Sequence, residues 1–330
     1  MKVFPVEIRW HPGLSVYASP GFLGAVSDEY GWLGGGVSAD APQFLLPYTL
    51  VTKPGVRMVR FRVETIVQDE VAGTVEAERE FLEAALVHFA GRGAHVIIPA
   101  STNTLFRTHP RRAAAVPYGS YVMDLTASEE ALWQGMHPKH RNVIKSAERK
   151  GVVIAQGAAY ARPAYDMIAR TFQRSAMGFM SLAAFERMLA GLGEYVRIFV
   201  AIANGTIQGC AVIPFSQHSA YYAYGGTAEG PVTGATNLLQ WEAMRQFKAL
   251  GTRNYDFCGA RLAPDAGSKA AGLVMYKERF GGRLARGYMW KCPLHPLRAR
   301  VYNLGVRLLK GGDIVDQERR RASAVCSPSV

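Results

Sequence analysis

WQGMHPKHRNVIKSAERKGVVI, residues 133–154, holds a helix, its stop and the strand that follows, and it decides how the second half of the chain is read. Pro138 stands in a first helical turn, where the N–H it lacks would have no partner, and Gly151 supplies the left-handed stop. VVI then begins a strand. From His137 to Lys150, seven of fourteen side chains are basic or imidazole and one, Glu148, is acidic. Helical geometry sets Arg141, Lys145 and Arg149 at i, i+4 and i+8 on one stripe, with Trp133, Met136, Val143, Ile144 and Ala147 facing the body. Such a stripe is either a solvated face or a rail for an anion.

Downstream, RPAYDMIARTFQRSA and LAAFERMLAGLG carry helical periodicity, and VRIFVAIA, QGCAVIPFS and SAYYAYGG read as three strands. The helix TGATNLLQWEAMRQFKALG, the strand NYDFCG, the helix AAGLVMYKERFGG and the strand RLARGYMWK follow. Upstream, FLLPYTLV and VRMVRFRVETIV are strands, EAEREFLEAALVHFAGRG is a glycine-terminated amphipathic helix, and AHVIIPA is a further strand. HPRRAAAVPY, residues 109–118, is punctuated by prolines, so a boundary is expected before YVMDL opens the second half.

The chain of 330 residues, 49% apolar, is long enough for two α/β domains. No apolar run reaches the roughly 18–20 residues that span a bilayer. MKVFPVEIRWHPG places charges and a proline where a secretion signal has its apolar core, so a cytoplasmic protein is expected. Cys210, Cys258, Cys292 and Cys326 are too scattered for a zinc module or a disulfide framework, and reduced thiols are expected. His137 and His140 straddle a proline without a third ligand, so no metal site is expected. The formal net charge of +12 fits either an anionic partner or an ordinary basic surface.

The order of elements in the second half is that of the GNAT acyltransferase fold, whose strands part in the middle to admit an acyl donor. LWQGMHPKHRNVIKSAERKGVVI, TFQRS (171–175), YYAYGGT (221–227), GATNLLQWEAM (234–244), GTRNYDFCGA (251–260) and GLVMYKERFGG (272–282) occur in the order and spacing of the Fem family. These are the aminoacyl-tRNA-dependent transferases that build peptidoglycan cross-bridges. The resemblance covers about residues 118–295. It implies two GNAT-like domains, each a mixed central sheet flanked by helices: residues 1–117 plus 295–330, with a C-terminal helix packing back on the first domain, and residues 118–294. It also implies an amine-bearing acceptor, aminoacyl-tRNA as co-substrate without a further cofactor, and a monomer. Lys139, Arg141, Lys145 and Arg149 are then the expected tRNA contacts. The first half resembles the family less: its usual Pro-Arg-Gly-Pro segment is missing, and FRVETIVQ stands about where it belongs. The charged helical hairpin of some members is absent too.

Amide formation from an ester or thioester needs two oriented substrates, a proton acceptor and an oxyanion partner, but no protein nucleophile. Lys277, the lysine of the family's Phe-Lys-x-x-Phe-Gly motif with Tyr276 in place of the phenylalanine, is the first candidate for the oxyanion or for the donor's terminal ribose and phosphate. The alternative buries Met275, Tyr276 and Phe280 and leaves Lys277 on a solvated face. On YYAYGGT, strand alternation puts Tyr222 and Tyr224 on one face and Tyr221 on the other. Tyr224 is a candidate for proton transfer and Tyr222 for acceptor binding, unless the tyrosines are cross-strand packing. Gly225 and Gly226 would allow close substrate approach. Asp256 and Asp124, at strand ends, are candidate bases or amine ligands, or caps.

AEGPVTGAT, residues 228–236, lies where CoA-using GNAT proteins cradle a pyrophosphate, but Glu229 adds a negative charge and Pro231 removes a donor. Asn237 matches a family position for substrate binding, and Trp241 is expected in the core. LRARVYNLGVRLLK, residues 297–310, is either a basic amphipathic element for peripheral membrane contact or a core stripe. The tail beyond it is expected to be disordered at its end. Three functions remain open: the tRNA-dependent aminoacyltransferase, an acyl-CoA N-acyltransferase, and a non-catalytic RNA- or membrane-surface protein.

Overall fold

The computed structural model describes residues 1–325. Its first elements are β1 (Lys2–Val6), α1 (Pro20–Val26), β2 (Glu29–Gly36), β3 (Phe44–Lys53), β4 (Val56–Phe61), β5 (Ile66–Val67), α2 (Val75–Gly91), β6 (Val96–Ile97) and β7 (Ala114–Asp124). There follow α3 (Glu129–Gly135), α4 (Pro138–Arg149), β8 (Val153–Gln156), α5 (Ala161–Gln173), α6 (Leu182–Leu192), β9 (Val196–Ala203) and β10 (Thr206–Pro214). The last are β11 (Ser219–Tyr221), β12 (Tyr224–Thr227), α7 (Ala235–Ala249), β13 (Asn254–Asp256), α8 (Lys269–Glu278), β14 (Arg283–Pro293), α9 (Pro296–Lys310) and α10 (Ile314–Val325). Cys326 and the end of the tail lie outside the described residues, and α10 already occupies much of that tail.

Two compact units emerge: residues 1–9, 27–119 and 286–330, and residues 10–26 and 120–285. In the first, β1-β2-β3-β4-β6 form a sheet that continues to β14, and β4 and β6 run parallel on either side of the α2 crossover. Thr74 caps α2, with Glu76 and Glu78 at its positive end. Phe81, Leu82, Leu86 and Phe89 of α2 pack on Phe44, Leu46, Phe61 and Trp290.

The expected boundary falls inside a strand. β7 alternates buried Val116, exposed Pro117 and buried Tyr118, so the proline occupies an outward position rather than a linker. The 118–294 division also misses residues 10–26, which belong to the second unit. Val16, Tyr17, Phe22 and Leu23 share a core with Phe185, Met188 and Ile198. Gly21 of α1 and Gly191 of α6 meet so closely that neither position has room for a Cβ.

The second unit places β13 between β7 and β11, beside a separate antiparallel sheet β12-β10-β9-β8. α4 begins with His137 as its cap and Pro138 in its first turn, and Gly151 beyond its end has φ +70°. Its inner face is His140, Ile144 and Ala147; Val143 is only half-buried.

Candidate active site

One stretch that reads as a single strand, SAYYAYGG, is divided between two sheets. Ser219–Tyr221 run parallel to Asn254–Asp256 for three residues. The Tyr222 N–H still donates to Asp256 O at 2.8 Å, but the Ala223 N–H turns back to Tyr221 O at 2.7 Å. From Tyr224 the chain pairs with β10 instead, opposite Val212. Beyond Asp256, Phe257 donates to Tyr121 O, and Cys258 and Gly259 take left-handed angles of φ +50° and +71°. β11 and β13 therefore part just after Tyr221 and Asp256.

The turn at this parting is held from inside. Asp256 Oδ1 accepts the Cys258 N–H at 2.7 Å and the hydroxyl of Ser120 on β7. The carboxyl is buried, and burial pushes its pKa above the ordinary carboxylate value even though both hydrogen bonds and the nearby Lys277 and Arg283 charges pull it down. Lys277 does not lie on a solvated face. Its ammonium donates to Cys258 O and, at 2.6 Å, to Gly259 O, and burial draws its pKa down. An ammonium has three donors, so one remains for a substrate oxygen. The pattern that would bury Met275 fails for the same reason: the helix turns Lys277 inward and leaves Met275 exposed.

α8 is fixed by the segment quoted at the outset. His140 Nε2 donates to Tyr276 O at 3.0 Å, and the His137 N–H donates to Arg279 O at 2.9 Å. Burial lowers the His140 pKa although the hydrogen bond to Tyr276 O opposes it, and the ring carries its proton on Nε2 to make this donation. Phe280 stacks on Phe257 with centroids 4.8 Å apart, and Tyr276 OH donates to Thr236 O at 3.3 Å. Thus α4, α7 and β13 together aim Lys277.

Other expected site residues are redistributed. The turn at Tyr222–Ala223 shifts the pleat by one residue, so Tyr221 and Tyr224 join one apolar cluster and Tyr222 the other; Tyr222 and Tyr224 do not share a face. Tyr224 packs edge-on against Phe179, and burial raises the Tyr222 phenol. The space beside Gly225 is filled by the Tyr222 hydroxyl, and beside Gly226 a Cβ would stand 2.8 Å from Met167 Cγ, so these glycines admit the protein's own side chains. Asn237 is buried on α7 and Trp241 packs against Trp133. Asp124 lies opposite Asn254, at the other end of β13 from Asp256, and accepts the Thr126 N–H and hydroxyl at 2.9 and 2.6 Å: it is a cap.

On α4, Lys139, Lys145 and Arg149 are exposed, with Lys145 Nζ 5.8 Å from the Trp133 ring centre. Arg141 leaves the stripe: its guanidinium donates to Gln134 O and Met136 O at 2.9 and 2.5 Å, closing the end of α3. The residues that sequence patterning missed are Ser120, the one serine of a largely apolar strand, and Ser15 and Tyr17, which a distant segment delivers. Tyr221 OH donates to Ser15 Oγ at 2.8 Å, and the buried Tyr17 ring lies 4.8 Å from that of Tyr221.

The loop at the pyrophosphate position, read as a poor cradle, is already committed. The Val232 N–H donates to Gln208 Oε1 and the Ala235 N–H to Val232 O, both at 3.0 Å. Gly234, at φ +88°, abuts Val143 O of α4 so closely that no Cβ fits. A separate cavity of about 830 Å³ lies in the first unit, lined by Arg60, Arg62, Ile98, Tyr302 and Leu309 among others. It contains none of the candidate catalytic residues.

A family model described as an acetyltransferase (GNAT) domain matches residues 138–270. No curated protein matches in sequence. Among solved structures, FemX is 12% identical with a TM-score of 0.66, covering 92% of this chain and 99% of its own. L-PGS from Bacillus licheniformis is 12% identical with a TM-score of 0.50, covering 88% and 91%. A conserved protein of unknown function from Bacteroides thetaiotaomicron is 11% identical with a TM-score of 0.50, covering 86% and 92%. A GNAT domain is thus matched across residues 138–270, and the fold of the chain is similar to that of FemX.

Proposed function

We propose that this Fem-like, GNAT-related acyltransferase is an aminoacyltransferase that moves an aminoacyl group from tRNA to an amine, either on a peptidoglycan precursor or on a small peptide-like metabolite. The observation that carries the reading is the half-buried Lys277 ammonium on the Cys258–Gly259 turn, beside a buried Asp256, where β11 and β13 part. The acceptor amine attacks the aminoacyl ester carbon, a C–N bond forms, the C–O bond to the ribose breaks, and the amine proton ends on the ribose hydroxyl. Asp256 is suited to hold that proton in transit, and the remaining Lys277 donor is suited to the oxyanion. Lys139, Lys145 and Arg149 supply exposed positive charge for the donor's phosphates.

The second reading, an acyl-CoA N-acyltransferase, draws on the GNAT model across residues 138–270. Against it stand the loop N–H groups already donated to Gln208 and Val232, which a diphosphate would need. The test incubates the protein with labelled aminoacyl-tRNAs and candidate amine acceptors. Transfer should require intact tRNA, weaken with salt and fall sharply in Lys277→Ala. Ribonuclease-resistant transfer from an acyl-CoA would replace this reading with the second.

A further inference from the structure

α9 carries an apolar stripe that points away from its own unit. Leu297, Val301, Leu304 and Leu308, at i, i+4, i+7 and i+11, are 68%, 74%, 58% and 77% exposed. They form one face of the helix. The helix is attached by a different face, where Ala299 is fully buried and Tyr302 packs beside Met58 and Val96. Such a row is what a globular unit buries, and here the unit leaves it in solvent.

Charge surrounds the stripe with one sign only. Arg300 and Arg307 lie along one edge, Arg298 lies toward the other, and Lys310 ends the helix; no acidic residue occurs from Leu294 to Gly312. Arg298 is engaged with Gly55 O at 2.8 Å, while Arg300 and Arg307 are exposed. The helix is also braced. Lys291, itself buried, pairs with Asp313 and Asp316 at 2.7 and 2.6 Å just beyond the α9 C-terminus. The outward stripe is therefore presented by an anchored element.

We propose that α9 is a monotopic docking helix that seats the first unit on an anionic phospholipid surface. The four apolar side chains enter the headgroup–acyl boundary, and Arg300 and Arg307 meet lipid phosphates. An outward apolar stripe edged by arginines is the geometry of an interfacial helix, and anionic headgroups complement a helix with no acidic side chain. Among the described residues no helix is long and apolar enough to cross a membrane, so the contact is peripheral. This inference stands apart from the assignment of the donor and the acceptor.

The full chain should float with vesicles of equal parts phosphatidylglycerol and phosphatidylcholine, and about tenfold less with phosphatidylcholine alone. The double variant Leu304→Glu, Leu308→Glu should reduce partitioning about tenfold or more at any salt concentration. Arg300→Gln, Arg307→Gln should reduce it roughly fivefold per arginine at low salt, a difference that high salt erases. All four positions are exposed, so the variants should keep the wild-type circular dichroism spectrum and melting midpoint. The proposal is overturned if the wild-type chain stays unbound on the anionic vesicles, or if the leucine variant floats as well as wild type. Two results without flotation would overturn it equally: self-association that the leucine variant dissolves, or an RNA complex that the arginine variant dissolves.

Discussion

α8 and α9, separated by a single strand, each contradict the face that composition assigns. In α8 a charged side chain turns inward, because the left-handed Cys258–Gly259 turn offers two carbonyls and Asp256 lies close enough to favour the ammonium. In α9 four apolar side chains turn outward, because the unit supplies packing for Ala299 and Tyr302 while, among the described residues, the stripe stays largely exposed. A buried charge is tolerated where its hydrogen bonds are met, and an exposed leucine stripe signals a surface still to be covered. On the proposed function and the proposed docking, the contrast assigns chemistry to one helix and a surface contact to the other.

The comparison breaks first if α8 is not truly embedded. Phe280→Ala, which removes the stacking partner of Phe257, should destabilise the chain by about 3–5 kcal/mol in urea denaturation. Lys277→Met should separate function from folding: the transfer rate should drop roughly 10²–10³-fold, whereas stability should fall by no more than about 1–2 kcal/mol, the lost hydrogen bonds to Cys258 O and Gly259 O being partly offset by removal of a desolvated charge. An unchanged rate would make Lys277 a structural anchor only. Arg141→Ala, which frees the α3 carbonyls, should lower stability by roughly 1–2 kcal/mol, and the smaller effect of an exposed Lys145→Ala would sharpen the distinction between capping and surface charge. Least of all, Leu304→Ser on α9 should stay within about 0.5 kcal/mol, since the position is already in water.

Asp256 supplies a test in pH. Its folded pKa lies above the ordinary value of 3.8, so the folded state holds the proton more tightly than the unfolded chain. Its contribution is complete below the unfolded pKa and is lost as pH rises through the folded one. Asp256→Asn keeps an oxygen for Ser120 and Cys258 and has no charge to desolvate. Relative to wild type, the variant should gain stability as pH rises from about 4 and then level off, as chemical melts of both proteins would record. Its transfer activity should be low throughout.

Much of the second unit was legible because its signals are local. Pro138 and Gly151 bracket α4, and the apolar runs Val196–Ala203 and Thr206–Pro214 are strands. Lys277 was legible as a candidate through its motif, but its inward direction was not. Arg141 looked like part of a rail, since periodicity counts residues on its own helix and cannot see the open carbonyls of the helix before it. The tyrosines were assigned to the wrong faces because one N–H turned back at Ala223 resets the pleat. Ser15 and Tyr17 left no local signal, their partner Tyr221 being some two hundred residues away.

By itself the sequence determined the alternation of helices and strands, the helix stops and the polarity of each face, since these follow from steric limits and side-chain spacing within a few residues. The tertiary structure alone decided which of those faces finds a partner. It divided SAYYAYGG between two sheets, drew residues 10–26 into the second unit, turned Lys277 into the parting of β11 and β13, and left the leucines of α9 facing water. Burial is settled by contacts between distant segments, and hydrophobic periodicity names only the side that would benefit from them.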